Sequence, residues 1–404
     1  MTHREGGLRI CLYYPWLYLT SGSERTIIEI ARRSRHSIHI VTNEYQPEAT
    51  FPELKDLNVE VLSRVPVKRT IGAVGVAAWR LLSQRLDVQK YDALLVVCEG
   101  LGDLVALRHP DLPAFCLCLT PLRIAFDSEY RRNYLPTKPP LQRAVITAGA
   151  AAFAALDRVA WRRYIRIFPV SREIERRIIG GRLATPERMQ VLNPGVDLAA
   201  FTPAPCREKV FFVPGRIMWT KNLELAIDAF RLFRDRVGDR EWRLRIAGIV
   251  DRKSEPYLDK LRQHAGGDAG IEFCIRPGDE ELRAMYRDCF ATLFTAFNED
   301  WGLVMIEAMA SGKPVVAMKR GGPLEIVRHG VDGLLAEGTP SAFADAMCRL
   351  EADPSQYQRM TVDAAAGAQR FGWQPFIDAL DSAIETSFAD SGVSVRQGWA
   401  SARG

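Results

Sequence analysis

"ATLFTAFNEDWGLVMIEAMASGKPVVAM" occupies residues 291–318, and its four parts follow different patterns. An apolar β-type run leads into the polar knot Asn298-Glu299-Asp300, a helix-like run follows, and a second apolar run closes at Met318. Strand, loop, helix and strand in that order make a βαβ unit with parallel strands. Gly302 stands where the helix begins, with no side chain to keep other groups from the backbone. Two carboxylates frame that start. Glu299 precedes it, and it or Asp300 can cap orphan N–H groups. Glu307 lies about 7.5 Å along the helix axis, in the otherwise apolar run "LVMIEAMA", where a carboxylate needs a polar partner.

The same alternation extends in both directions. Strand candidates "LRICLYY", "SIHIVTN", "NVEVLS", "ALLVVCEG", "AFCLCLT" and "IRIFPVS" fill the front half, and "KVFFVPGR", "RLRIAG", "IEFCIR", "ATLFTAF" and "PVVAM" form a second series with helical stretches between. The proline-punctuated "NPGVDLAAFTPAPCREK" separates the two series. Stacked βα units of this kind predict an α/β chain of two doubly wound, Rossmann-like domains facing a central cleft. The expected domains span residues 1–197 and 205–372. A last amphipathic helix over 373–388 follows the second series and can pack on either domain.

Composition narrows the class. The chain has 404 residues, 47% of them hydrophobic, enough for two full cores. No window approaches 18 uninterrupted apolar residues, and the longest candidate, "AVITAGAAAFAAL" from Ala144 to Leu156, reads as a buried helix. The lead "MTHREGGLRICLYYPW" lacks a signal-peptide pattern, so the expected location is cytoplasmic, with peripheral contact at the inner membrane face as an extension. The eight cysteines show no C-x-x-C spacing and read as buried thiols, and the six histidines show no ligand spacing, so no metal site is expected. Residues 1–200 hold 28 Lys+Arg against 20 Asp+Glu, whereas the rest hold 26 against 29. The front half is the basic one. Its clusters, Arg32/Arg33/Arg35, Arg158/Arg162/Arg163/Arg166 and Arg172/Arg176/Arg177, suit an anionic acceptor or membrane, or ordinary solvated helix faces. They lack the interleaved aromatics of a nucleic-acid module, so no nucleic-acid partner is expected.

In open parallel sheets, ligands bind beyond the carboxyl ends of the strands. After "KVFFVPG" come Arg216 and Lys221, with Asn222 opening a helix. Two cations beside a helix N-terminus suit a diphosphate; a pair of solvated surface cations is the plain alternative. The carboxylates Glu299 and Glu307 each accept two hydroxyl hydrogen bonds, which fits the vicinal diols of a ribose and a hexose. Gly321 and Gly322 supply further close backbone approach.

Glu299 and Glu307 with seven residues between them, in "ELRAMYRDCFATLFTAFNEDWGLVMIEAMASGKPVVAMKRGGPLEIVRHGVDGLLAE", resemble the signature of family 4 of the retaining glycosyltransferases, which have the GT-B fold. The likeness extends to "GRIMWTKN" and "VLNPGVDLAAF" and covers essentially the back half. It implies that Arg216 and Lys221 bind the donor diphosphate, Glu307 the ribose and Glu299 the transferred sugar, with Gly22, Gly302, Leu303 and Val304 also lining the donor. It further implies a nucleotide-sugar-binding second domain, and an acceptor-binding first domain to which the final helix returns. The front half matches less closely. Ser21 stands at the first of two glycines normal in the family's first loop, leaving Gly22. "LCLTPLRIAFD" is similar to the His-Thr-Pro-Met-Arg segment of a mannosyltransferase subgroup, with Leu119 at the histidine position and Arg123 on the acceptor side.

The resemblance implies transfer of a hexosyl group with retention, from a nucleotide-diphosphate sugar, with GDP-mannose preferred, to a hydroxyl of a glycan, lipid-linked or small-molecule acceptor in polysaccharide biosynthesis. No cofactor is expected beyond the donor. No Asp-x-Asp pair occurs to hold a divalent cation, so metal-independent chemistry is expected, with cationic side chains and helix dipoles stabilising the leaving group. Competing readings are a nucleotide-sugar hydrolase or epimerase of the same fold, and a non-catalytic nucleotide-sugar-binding subunit. A dehydrogenase is disfavoured because no G-x-G-x-x-G follows the first strand.

Overall fold

The structure is a computed structural model that describes residues 7–65 and 71–390, so the charged lead Met1–Gly6 lies outside the described residues. The chain divides into two compact units, residues 1–194 with 373–404, and residues 195–372.

In the first unit the strands are β1 (Arg9–Tyr13), β2 (Trp16–Leu17), β3 (Ser37–Thr42), β4 (Glu44–Tyr45), β5 (Val59–Val61), β6 (Ala93–Cys98), β7 (Ala114–Cys118) and β8 (Tyr164–Pro169). Six of them form one parallel sheet in the order β5-β3-β1-β6-β7-β8, while β2 and β4 pair separately. Every residue of β6 and β7 is buried. That is why both read as continuous apolar runs: helices cover both faces of a parallel sheet. The helices are α1 (Gly22–Arg33), α2 (Ile71–Ser83), α3 (Arg123–Phe126), α4 (Ser128–Tyr134), α5 (Pro140–Trp161) and α6 (Arg172–Gly180). Strand order reverses between β1 and β6, and right-handed crossovers then send α1 to one face and α2, the 3₁₀ segment Leu101–Arg108 and α5 to the other. In agreement, α2 and α5 both pack on Leu101–Arg108.

The second unit repeats the plan with β9 (Val210–Pro214), β10 (Arg243–Gly248), β11 (Ile271–Ile275), β12 (Ala291–Phe294), β13 (Val315–Met318) and β14 (Gly333–Ala336), in the order β11-β10-β9-β12-β13-β14. Its helices are α7 (Leu223–Val237), α8 (Glu255–Ala265), α9 (Asp279–Asp288), α10 (Leu303–Ala310), α11 (Pro323–Ile326), α12 (Pro340–Ala352) and α13 (Pro354–Ala368). An aromatic cluster anchors the core, with the Phe211 ring 5.0 Å from Phe233, 5.2 Å from Trp242 and 5.6 Å from Phe290. The edge strand β14 is absent from the sequence reading. Its four residues begin at Gly333, where a Cβ would overlap the Val315 carbonyl.

The last helix, α14 (Trp373–Asp390), belongs to the first unit. Trp373, Phe376, Ile377, Leu380, Ile384 and Phe388 form its buried stripe at helical spacing. Its polar edge holds the end of α1: Asp381 accepts from Ser34 Oγ and Arg35 N, each at 2.8 Å, and Glu385 takes both arms of Arg35 at 2.6 Å.

One expectation is corrected here. The apolar run 144–156 is not a buried helix: it lies within α5, and only 22% of that helix's most apolar window is buried. Apolarity and length do not report which faces are covered. Ser21 also has a structural reason that the comparison with a glycine pair missed. It caps α1, accepting from Ser23 N at 3.3 Å, and its hydroxyl meets the buried Glu24 carboxylate, which also accepts from Leu19 N at 3.3 Å. "SGSE" is thus a variant of the capping box.

Burial pushes the Glu24 carboxyl up from 4.5 to about 7. The folded chain therefore holds a proton that the unfolded chain has lost across that interval, and stability falls as pH rises through it. The span amounts to roughly 3 kcal/mol. Glu24→Gln should gain on the parent between about pH 5 and about pH 8. Melting temperatures of the two proteins measured across that range check this, and parallel curves would refute it.

Candidate functional site

The second sheet's carboxyl edge is built by close backbone packing. β9 ends at Pro214, and Gly215, at φ +127°, turns the chain; a Cβ on Gly248 would overlap the Gly215 carbonyl. Gly215 N and Ile217 N donate to Ala247 O and Ile249 O at 3.0 and 2.9 Å, which pins the loop along the end of β10. Ile217 is buried and Arg216 before it is exposed, with no ion pair among the described residues. A 3₁₀ turn over Trp219–Lys221 follows, and Asn222 in the left-handed region (φ +51°) opens α7. The first N–H of α7, on Leu223, already donates to Tyr257 Oη at 3.1 Å.

The loop after β12 closes against this turn. Thr295 Oγ1 donates to Lys221 O at 2.9 Å and Phe297 N to Thr220 O at 3.1 Å. Lys221 Nζ then lies 2.6 Å from Glu299 Oε2 and 5.3 Å from the centre of the Phe294 ring. Both members of the pair retain 19% side-chain exposure.

Gly302, at φ +116°, turns the chain into α10. Leu303 and Val304 are its first two residues, half-buried, with N–H groups that find no acceptor inside the helix. The glycines of "RGG" have a different task from the one expected. A Cβ on Gly321 or Gly322 would overlap the backbone of Glu299 or Trp301, and Gly322 N donates to Glu299 O at 2.9 Å. The group that approaches them closely is the chain's own 299–301 loop.

Glu307 lies one turn into α10, half-buried, and accepts from Tyr286 Oη at 2.7 Å. Tyr286 is fully buried, its ring packed edge-on to Phe212 and Phe201. Burial first, and the Glu307 charge second, hold its hydroxyl well above the usual phenol range, so it donates throughout the physiological interval. Tyr286 is a residue the sequence reading missed; only the need of Glu307 for a partner pointed to it. Arg276 was missed as well. It follows β11 at φ +56° and donates to Val250 O at 3.0 Å, tying together the loops after β10 and β11.

The second unit therefore brings Lys221, Glu299, Gly302, Leu303, Val304 and Glu307 to one edge, with Arg216 on the neighbouring loop. Gly22 and Arg123 belong to the first unit. Gly22 is the exposed first residue of α1, and its carbonyl accepts from Thr26 Oγ1 at 2.7 Å. Arg123 opens α3 with its guanidinium 3.9 Å from Asp127, a carboxylate that Arg177 approaches to 3.4 Å. Arg177 also donates to Thr120 Oγ1 at 2.9 Å, so this arginine of α6 braces "TPLR". Leu119 is half-buried.

One thiol group escaped the spacing test. Cys98, Cys116 and Cys118 have sulfurs within 4.8 Å of one another, because β6 and β7 are neighbours and strand register, not sequence spacing, sets the approach. Cys98 Sγ donates to Asp103 Oδ2 at 2.9 Å and Tyr164 Oη to Asp103 Oδ1 at 2.5 Å, so the buried polar atoms satisfy one another.

Residues 199–366 match the family model described as "Glycosyl transferases group 1". The D-inositol 3-phosphate glycosyltransferase of Corynebacterium glutamicum (strain R) is 32% identical over 229 residues, covering 52% of this chain and 54% of that protein. The enzyme of the same name from Pseudarthrobacter chlorophenolicus is 36% identical over 200 residues, covering 46% and 47%. The chain thus spans about half the length of these curated relatives. Among solved structures, Anabaena Alr3699/HepE in complex with UDP and glucose superposes with a TM-score of 0.73 at 19% identity, covering 94% of this chain and 100% of that one. The sucrose-phosphate synthase (tll1590) from Thermosynechococcus elongatus does so at 0.73 and 16%, covering 95% and 100%. Likeness at such identities speaks for the fold alone. The chain has the GT-B fold, and its second unit carries the match to group 1 of the glycosyl transferases.

Proposed function

We propose that the protein is a retaining, metal-independent glycosyltransferase that moves a hexosyl group from a nucleotide-diphosphate sugar to an acceptor hydroxyl. The observation that carries this reading is the placement of Lys221, Glu299 and Glu307 around the start of α10, inside the segment that matches the family model. In this reading the second unit binds the donor and the first the acceptor, a hydroxyl of a glycan, lipid-linked or small molecule, as in polysaccharide biosynthesis. GDP-mannose is the donor favoured by Thr120-Pro121-Leu122-Arg123. The curated relatives' name, with its inositol 3-phosphate, supports a phosphorylated polyol among the acceptors to be tried.

Each side chain has a task. Arg216 and Lys221, with the positive end of α10, neutralise the diphosphate as it leaves. Glu307 takes the ribose hydroxyls, with the Tyr286 hydroxyl fixing one of its oxygens. Glu299 takes hydroxyls of the transferred sugar, and its contact with Lys221 holds the ammonium at the edge where the diphosphate binds. The bond from the anomeric carbon to the diphosphate oxygen breaks, and the bond to the acceptor oxygen forms on the same face. The acceptor proton passes to the departing phosphate oxygen. No protein base takes part in this scheme.

Removing a cation should cost most in the transition state, where leaving-group charge is greatest. Arg216→Ala and Lys221→Ala should each lower turnover by about a hundredfold or more, on the scale of about 2.7 to 4 kcal/mol for a lost oxyanion donor. Near-normal turnover in both would overturn the assignment. Glu307→Gln should raise KM for the donor with little effect on kcat, and Tyr286→Phe should do the same more weakly; Glu299→Gln should lower kcat. Steady-state kinetics read the split, and the reverse pattern would exchange the two glutamates' roles. Transfer should persist in excess EDTA. Complete loss restored by a divalent cation would refute the metal-independent reading.

A further inference from the structure

The surface of α5 is unlike that of a helix facing water. Over Leu141–Ala152 every residue except the half-buried Ile146 and Ala150 is exposed, and the single exposed charge along the whole helix is Arg143. Its one acid, Asp157, is buried. Leu141 is 79% exposed and Val145 41%. The helix on the same sheet face, α2, adds Val76 at 49% and Trp79 at 68%, and its sequence contains no acid. Both helices pack on Leu101–Arg108, and large apolar side chains exposed on one face of a unit mark a docking surface.

The fully exposed charges at the start of α5 are positive. Arg132 and Arg143 are exposed at the N-terminal approach to α5, and Lys138 stands between them, its ammonium 4.7 Å from the centre of the Tyr134 ring. Most members of the clusters singled out in the sequence are engaged, with Arg32 and Arg162 the exposed exceptions among them. Arg33 pairs with Glu29, Arg35 with Glu385, Arg172 with Glu175 and Arg176 with Glu173. Arg158 and Arg166 donate to the carbonyls of Gly181 and Glu187. An apolar face with a tryptophan, edged by cations and free of exposed acid, complements a bilayer whose headgroups are anionic.

We propose that the first unit docks on an anionic membrane through α5 and α2, with α5 lying in the interface. Its 22 residues are long and apolar enough to cross a bilayer, but its inner stripe, Ala154, Asp157, Ala160 and Trp161, is packed into the unit, which holds it along the surface. Trp79 and Leu141 enter the headgroup boundary, and Arg132, Lys138 and Arg143 meet the phosphates. The proposal rests on this surface alone and stands or falls apart from the transferase reading.

The test is sedimentation of the purified full chain with vesicles of phosphatidylglycerol and phosphatidylcholine, against phosphatidylcholine alone. The anionic vesicles should carry the protein down, less so at high salt. Leu141→Glu with Val145→Glu should weaken that binding at least tenfold while leaving the melting temperature unchanged, since both sites are exposed. Arg172→Glu with Arg176→Glu should leave it unchanged. Anionic vesicles should also blue-shift the tryptophan emission of the parent, and Trp79→Phe should abolish most of that shift. Absence of vesicle binding, or binding indifferent to the paired glutamates, would overturn the proposal. So would a lipid-free dimer, detected by sedimentation equilibrium, that the same glutamates dissociate, because a second copy would then be the occupant.

Discussion

The candidate site depends on a backbone contact that only glycine permits. Gly321 and Gly322 lie against the 299–301 segment so closely that a Cβ at either position would overlap its backbone, and the Gly322 N–H holds the Glu299 carbonyl. That contact fixes the loop after β12, and the positive φ of Gly302 then sets the direction in which α10 departs. Glu299 and Glu307 take their places from these two constraints. The unusual backbone angles around them fall at Gly302 and Gly321, which tolerate them.

Electrostatics at that edge is arranged in compensated pairs. Glu299 beside a helix N-terminus would be comfortable by itself, but as a fixed anion it would oppose a diphosphate there. Lys221 at 2.6 Å offsets part of that charge, and Arg216 on the neighbouring loop adds a second cation. Glu307 is treated differently: a neutral donor, the buried Tyr286 hydroxyl, orients one oxygen without cancelling its charge. The first carboxylate is thus poised beside anions and the second beside hydroxyls, which is the division of labour proposed for diphosphate and sugar on one side and ribose on the other.

Much of this was legible in the sequence, and the failures have physical causes. Buried parallel strands appear as apolar runs because both faces are covered, so β1, β6, β7 and β9 could be read directly. The four-residue β14 has neither the length nor the alternation to stand out, and its opening glycine looks like a turn. Positions Arg216, Lys221, Glu299 and Glu307 followed from the rule that strand ends carry ligands, which needs only strand boundaries. Tyr286 and the Cys98, Cys116, Cys118 group depend on which distant elements become neighbours, information that no local spacing contains. Ser21 was legible as an N-cap from "SGSE", but comparison with a glycine pair drew attention to what was lost at that position rather than what the serine bonds to.

Burial of α5 was the largest misreading, and it connects the charge count to the surface. An alanine-rich apolar helix satisfies the composition of a core helix, yet a narrow stripe ending in Asp157, Ala160 and Trp161 is enough to hold it to the sheet. The basic excess of the front half was real, but net charge does not say which cations remain available. Arg33, Arg172 and Arg176 close ion pairs with i, i+3 and i, i+4 acids, as surface arginines readily do, while Arg35 pairs with Glu385 and the buried Arg177 with Glu173. What such pairing leaves to act on a partner is set by the unpaired remainder beside an uncovered apolar face. In this chain part of that remainder, Arg132 and Arg143, lies at the start of α5, where exposed cations and exposed leucine and valine occur within a few residues of one another.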